Sequence, residues 1–286
     1  MLRITLLTNP DVCNLQCTLC FLRQQGTPYG KGEMPWEIAE RAIRQYAAQG
    51  IREVIPSTMG EPLLYSSFEK LERLIQKLHL KLNLTTNGTF PRKGVRLWAQ
   101  ELLPISSDIK ISCWGTEQQT LDSLCPGINV DSYRSNLEKL LEIRQKMSQS
   151  VERLSRISLQ MAVCKTNRQE VMNVLEMAEE LGVDRVKLNR AVFLSTANDL
   201  QKKEAVSPED FLNRKEFQNS SLVVEGTFLY PKSAMSRAKC PFPGKELWIL
   251  PDGSTEPCPD PENRFVHPMS SKNRCENCHL FSPDRH

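Results

Sequence analysis

The sequence predicts an α/β protein, a partial (β/α)6 TIM-like barrel with a small C-terminal β-hairpin extension. Two observations carry this. Six short β-rich runs alternate with amphipathic helical segments to about residue 195, and from Ser207 the alternation gives way to a proline-dense, cysteine-bearing tail. Strands joined by helices in strict alternation are parallel with right-handed crossovers, and six such units make an open relative of the (β/α)8 barrel. The expected organisation is a barrel over 1–195, a connecting helical segment over 196–220 and a cysteine-bearing module over 221–286.

The first strand is RITLLTN (3–9). Pro35 then opens a helix with Ile38, Ala42, Ile43 and Tyr46 on one face; proline suits a helix start because its missing N–H would have no partner there. REVIPST (52–58) is the second strand, and a helix runs from Ser67 to about Leu78. LKLNLTT (80–86), a helix from Val95 to Leu103, DIKISCW (108–114) and a long helix from Val130 to Gln149 continue the pattern. RISLQMAV (156–163), a helix from Arg168 to Leu181 and DRVKLNRAV (184–192) complete it.

In such barrels the chemistry sits at the C-terminal strand ends. Here those ends carry Cys13, Cys17 and Cys20, then Met59-Gly60-Glu61-Pro62, Thr86-Asn87-Gly88, Ser112-Cys113-Trp114-Gly115, Cys164-Lys165-Thr166-Asn167 and Asn189-Arg190. Polar and metal-binding residue types thus collect on one rim.

Composition narrows the rest. A chain of 286 residues, 40% hydrophobic, can fill a large core, and a formal charge of +3 with no block of like charges gives no reason to expect nucleic acid. No apolar run approaches the ~20 residues of a membrane span, and MLRITLLTNP is too short for a signal peptide. A cytoplasmic protein without nucleic-acid or membrane partners is expected. There, clustered cysteines ligate metal more often than they form disulfides. The ten cysteines include two groups: Cys13, Cys17 and Cys20, and Cys240, Cys258, Cys275 and Cys278.

Three thiolates on a short loop do not complete a tetrahedral zinc site, and the first histidine is His79. Iron–sulfur clusters also take thiolates, and one given three keeps an iron open for another ligand. Structural zinc with a distant fourth ligand is the alternative. In the tail, ELWIL and STEPC flank Pro251-Asp252-Gly253, a hairpin signal, and the four cysteines around it make one complete tetrathiolate set, which suits either zinc or iron–sulfur.

C-x3-C-x2-C after the first strand, Gly-Glu-Pro after the second and the six-unit scaffold resemble the radical S-adenosylmethionine (SAM) enzymes over about residues 1–195. The resemblance implies a [4Fe-4S] cluster on Cys13, Cys17 and Cys20 whose open iron chelates SAM, reductive cleavage to a 5′-deoxyadenosyl radical, and hydrogen-atom abstraction from a substrate. It implies that Gly60 and Glu61 hold the methionine amino group and that Ser112 and Asn87 approach the cofactor. Met59 stands where the family usually has another glycine, and Leu19 where an aromatic often packs near the adenine, with Phe21 close by. Asp122-Ser123-Leu124-Cys125 puts a cysteine where many peptide-modifying relatives carry the arginine that pairs with the SAM carboxylate, so Arg190 or Lys165 is expected in that role.

The tail is similar to the Twitch module, a shorter relative of the SPASM extension, which implies an auxiliary [4Fe-4S] cluster on Cys240, Cys258, Cys275 and Cys278. Cys113 and Cys125 follow the fourth strand and are either hydrogen-atom donors or small buried hydrophobes; Cys164 has a weaker case. The resemblance implies a ribosomally synthesised peptide precursor as substrate, altered by crosslinking, epimerisation or backbone rearrangement, and an electron donor such as flavodoxin or ferredoxin. The chain opens on its first strand with no fused peptide-recognition domain expected, which tilts against a peptide unless a separate small recognition protein delivers it. The alternatives are a dehydrogenase that oxidises an alcohol of a small aminocyclitol or sugar, with the auxiliary cluster as electron acceptor, and a non-catalytic iron–sulfur or zinc protein.

Overall fold

The computed structural model describes residues 2–24, 32–56, 59–150, 154–213, 222–231, 234, 242 and 244–257. In chain order it contains β1 (Arg3–Leu6), α1 (Phe21–Gln24), α2 (Trp36–Ala48), β2 (Glu53–Pro56), α3 (Phe68–Lys77), β3 (Lys81–Thr86), α4 (Gly94–Leu102) and β4 (Ser106–Cys113). There follow α5 (Gln118–Leu124), α6 (Val130–Met147), β5 (Arg156–Val163), α7 (Val171–Leu181), β6 (Arg185–Arg190), α8 (Asn198–Glu204), β7 (Val223–Glu225), β8 (Glu246–Ile249) and β9 (Thr255–Glu256).

One open sheet runs in the order β7-β6-β5-β4-β3-β2-β1-β8-β9. Neighbours from β7 through β8 are parallel, and β9 returns antiparallel to β8. The expected parallel α/β scaffold is therefore present and unclosed.

Two features extend it. The strand alternation does not end at β6: β7 pairs in parallel with it, Arg185 opposite Val223. Three residues carry too little period-2 signal to be recognised in sequence. The tail hairpin also forms, but β8 joins the main sheet beside β1, Arg3 opposite Glu246. An ion pair from Arg3 Nε to Glu246 at 2.6 Å and a hydrogen bond from Thr5 Oγ1 to Glu246 at 2.7 Å fix that edge.

The two sheet faces differ in kind. Toward the helices point Ile4, Leu6, Val54, Leu82, Leu84, Ile109, Ile111, Ile157, Leu159, Val186 and Leu188, all buried in one core with Trp98 and Phe68, whose rings meet edge to face at 5.4 Å. Alternate residues face the concave side: Arg3, Thr5, Glu53, Asn83, Asp108, Lys110, Ser112, Ser158, Gln160, Arg185, Lys187 and Glu225. A closed barrel fills its interior with branched apolar side chains. This concave face is instead a polar wall crosslinked by Asp108–Arg185, Arg185–Glu225 (3.0 Å) and Lys187–Glu225 (3.1 Å). Among the described residues no helix is long and apolar enough to cross a membrane.

Candidate functional site

The segment after β1 is held by backbone rather than by a core of its own. Asn9 is buried, and its Nδ2 donates to the carbonyl of Glu61 at 2.7 Å while the Glu61 N–H donates to the carbonyl of Val12 at 2.8 Å. This clasp presses the loop after β2 against the cysteine loop. Gly60, at φ +71°, is the contact point: a Cβ there would lie 2.1 Å from the Asn9 oxygen and 2.6 Å from that of Val12. Only glycine permits this approach in that conformation.

Farther along, Thr18 N–H donates to the Leu124 carbonyl at 2.9 Å, joining the loop to the end of α5. Gln24 closes it: its Nε2 donates to the carbonyls of Leu19 (2.9 Å) and Val192 (3.0 Å), and its Oε1 accepts from the Leu194 N–H (2.8 Å). The cysteine loop is thereby tied to the segment after β6.

Cys13, Cys17 and Cys20 all line one cavity of about 1470 Å3 at the C-terminal strand ends, without converging on a single point. Cys13 is exposed, and the other two are partly so. The Leu15 N–H reaches the Cys13 sulfur at 3.4 Å, and the amides of Leu22 and Arg23 face that of Cys20. Cys17 faces the Trp114 indole N–H and lies against Cys125, with the sulfurs 3.1 Å apart. The Cys125 contact at Cys17 and burial at Cys20 raise both thiols above their ordinary range, so thiolate ligation of a metal would release protons.

Glu61 lies beneath this wall and is buried. Its Oε1 accepts from Thr86 Oγ1 (2.8 Å) and the Leu63 N–H (3.2 Å), and its Oε2 accepts from the Asn87 N–H (2.8 Å). Burial outweighs these donors and pushes the carboxyl up to about 7. Oε2 has one partner where a carboxylate oxygen can take two, so an ammonium entering from the cavity would be accepted and would favour the charged form. Asn87 also donates from Nδ2 to Asn14 Oδ1 at 2.9 Å and approaches Cys13 at 3.9 Å.

Met59 and Leu19 are buried and line the cavity, as does Phe21. Ser112 lines it too, and its hydroxyl has no partner among the described residues. Lys110, two residues before Ser112 on β4, sits deeper on the concave face, where burial lowers its ammonium to about 8. Cys113 borders the cavity but is packed into the core, 1% exposed, its thiol donating to the Gly115 carbonyl at 3.7 Å. Cys125 is fully buried and is not among the cavity-lining residues. Cys164 is buried against Leu19 and Leu124.

Lys165 and Arg190 line the far side. Lys165 Nζ donates to the Lys202 carbonyl at 3.1 Å. The Arg190 guanidinium donates to the carbonyls of Ser207 (2.9 Å), Pro208 (3.1 Å) and Tyr230 (3.2 Å) and stacks 5.4 Å from the Phe228 ring. Its terminal nitrogens are thus already engaged by the chain. Cys240, Cys258, Cys275 and Cys278 lie outside the described residues.

Two residues after β5, Glu170 and Asn167, complete the site. Glu170 is buried under the loop after β4, where its Oε2 accepts the N–H groups of Thr116 (2.5 Å) and Glu117 (3.0 Å). Asn167 Nδ2 donates to the Trp114 carbonyl at 3.0 Å. Both fix Trp114 and the start of α5 from the β5 side. Asn167 was among the strand-end residues the sequence placed on the rim, and Asn9 had a signal as a polar residue at a strand end just before the cysteines, whereas Glu170 had none.

Residues 10–149 match the Radical SAM superfamily profile. No curated protein sequence matches the chain. Among solved structures, Streptococcus suis SuiB bound to the precursor peptide SuiA superposes with a TM-score of 0.70 at 16% identity, covering 98% of this chain and 63% of that one. SuiB bound to S-adenosylmethionine gives 0.65 at 16% identity, covering 91% of this chain and 60% of that one. A hexahistidine-tagged anSMEcpe with bound AdoMet gives 0.62 at 18%, covering 93% and 75%. At these identities the likeness is one of fold, and the chain spans less than two thirds of the SuiB length. The donor set fits what the family implies, three thiols with sulfur-directed N–H groups on one cavity wall beside a buried carboxylate. The residues that hold that wall all fall within 10–149, the stretch that is similar to the Radical SAM superfamily.

Proposed function

We propose that Cys13, Cys17 and Cys20 hold a [4Fe-4S] cluster, that SAM binds between it and Glu61, and that the chain modifies a peptide. The observation that carries the cofactor reading is the single cavity wall shared by the three thiols, Gly60, Glu61, Asn87 and Ser112. When bound, the reduced cluster and SAM together supply a 5′-deoxyadenosyl radical that removes a hydrogen atom from the substrate.

The chain's own residues have separable tasks. Glu61 Oε2 accepts the methionine ammonium, and the Gly60 approach keeps that carboxylate level with the cysteine loop. Ser112 offers a hydroxyl with no described partner to the cofactor's polar edge. Leu19, Met59 and Phe21 supply apolar surface for the adenine and exclude water. Arg190, engaged with three carbonyls, shapes the far wall, which leaves the SAM carboxylate to other donors.

Support for a peptide comes from the likeness to SuiB, whose structure was determined with a precursor peptide. An auxiliary [4Fe-4S] cluster on Cys240, Cys258, Cys275 and Cys278 belongs to the same proposal. Anaerobic reconstitution followed by reduction should yield 5′-deoxyadenosine from SAM, with about eight irons per chain. Cys17→Ala should abolish that product; persistence of 5′-deoxyadenosine in this variant refutes the assignment. Co-expression with a short peptide encoded beside the enzyme should change the peptide's mass, and an unchanged peptide with active SAM cleavage refutes that substrate.

A further inference from the structure

Cys125 touches neither the cavity nor solvent, yet its sulfur lies 3.1 Å from that of Cys17. The contact is built by the backbone. Thr18 N–H donates to the Leu124 carbonyl at 2.9 Å, and Thr18 Oγ1 donates to the carbonyls of Ser123 (2.8 Å) and Leu124 (3.0 Å), so Cys17-Thr18 runs beside Leu124-Cys125. The Cys125 N–H is held in turn by the Leu121 carbonyl at 2.7 Å, at the end of α5. Nothing in this arrangement leaves the Cys125 thiol free to reach a substrate.

The direction of the S–H···S bond follows from chemistry. Without iron either sulfur can donate; a cysteine bound to iron is a thiolate with no proton to give, so with the cluster in place Cys125 would be the donor and Cys17 the acceptor. A hydrogen bond to a ligand sulfur favours the more negative, reduced state of an iron–sulfur cluster and raises its reduction potential. Cys13 and Cys20 meet backbone amides, whereas Cys17 meets side chains, Trp114 and Cys125, which substitution can remove.

We propose that Cys125 is a positioning residue of the SAM-binding cluster: its thiol donates to Cys17, orients that ligand and makes the cluster easier to reduce. This rests on the assignment of Cys13, Cys17 and Cys20 as ligands. The test is an EPR-monitored redox titration of anaerobically reconstituted wild type, Cys125→Ala and Cys125→Ser. In Cys125→Ala the midpoint should move to more negative potential, and 5′-deoxyadenosine formation driven by flavodoxin should fall on the order of tenfold. Cys125→Ser, which keeps a donor, should stay closer to wild type on both counts. A cluster in Cys125→Ala with the wild-type midpoint overturns the proposal.

Should the alanine variant fail to load, the infrared difference between wild type and Cys125→Ser decides. A Cys125 S–H stretch lowered from its free-thiol frequency supports the donor role, and a band at the free-thiol frequency overturns it. Failure of the ligand assignment looks different: Cys17→Ala would then retain the EPR signal of the SAM-binding cluster.

Discussion

The two walls of the cavity are built by different means. On the β1–β4 side, the cysteine loop is fixed by short hydrogen bonds between backbone, amide side chains and one buried carboxylate, through Asn9, Gly60, Glu61 and Thr18. On the β5–β7 side, charged side chains predominate: Lys187 and Arg185 on Glu225, and Arg190 on three carbonyls. Directional backbone contacts hold a loop to within tenths of an ångström, which a cofactor-binding wall needs. Long charged side chains with partial exposure, such as Lys187 and Arg190, tolerate rearrangement at small cost.

The sharpest way to break this contrast is Gly60→Ala. The added methyl meets two carbonyl oxygens from a left-handed backbone position, so the two loops must part. A loss of about 3 kcal/mol or more is expected in chemical denaturation, with 5′-deoxyadenosine formation lost even where the variant still folds. Wild-type stability and activity in this variant would show the clasp to be dispensable.

Glu61→Gln probes the same wall more gently. Loss of a charge-assisted contact should raise the KM for SAM by about 10–100-fold with the fold intact. The pH dependence has a definite sign. The folded carboxyl of Glu61 sits at about 7 against an ordinary 4.5, so the folded protein holds the proton more tightly. Without cofactor, stability is therefore fully present below about 4.5 and declines as pH rises to about 7, by on the order of 3 kcal/mol from this residue. Glu72, also raised to about 7 by burial, adds to the same window, so the glutamine variant should flatten the slope without abolishing it. Denaturant unfolding of the apoprotein between pH 4.5 and 7.5 measures it, and a slope unchanged by Glu61→Gln would contradict the burial argument.

The far wall should respond least. Arg190→Met removes three hydrogen bonds at a partly exposed site, an expected loss of roughly 1–2 kcal/mol in unfolding experiments, with SAM cleavage retained. A large rise in the KM for SAM would instead place Arg190 on the SAM carboxylate and erase the difference between the walls.

Sequence determined what depends on neighbours along the chain. The strands after Met1, Ile51, Leu80, Ser155 and Asp184 were legible because their apolar residues recur with period 2 and their helices with period 3.6. The cysteine triplet was legible because its spacing lies within eight residues, and Pro251-Asp252-Gly253 marked its hairpin for the same reason. Tertiary structure alone decided which sheet edge β8 joins, that Glu61 is met by Thr86 and Asn87, that Glu170 clasps the loop after β4, and that Cys125 rests on Cys17. Each of these joins residues at least 25 positions apart. Such contacts arise from strand register and helix packing, in which every element must be placed before any one pair can meet, and no local pattern in the chain encodes that outcome.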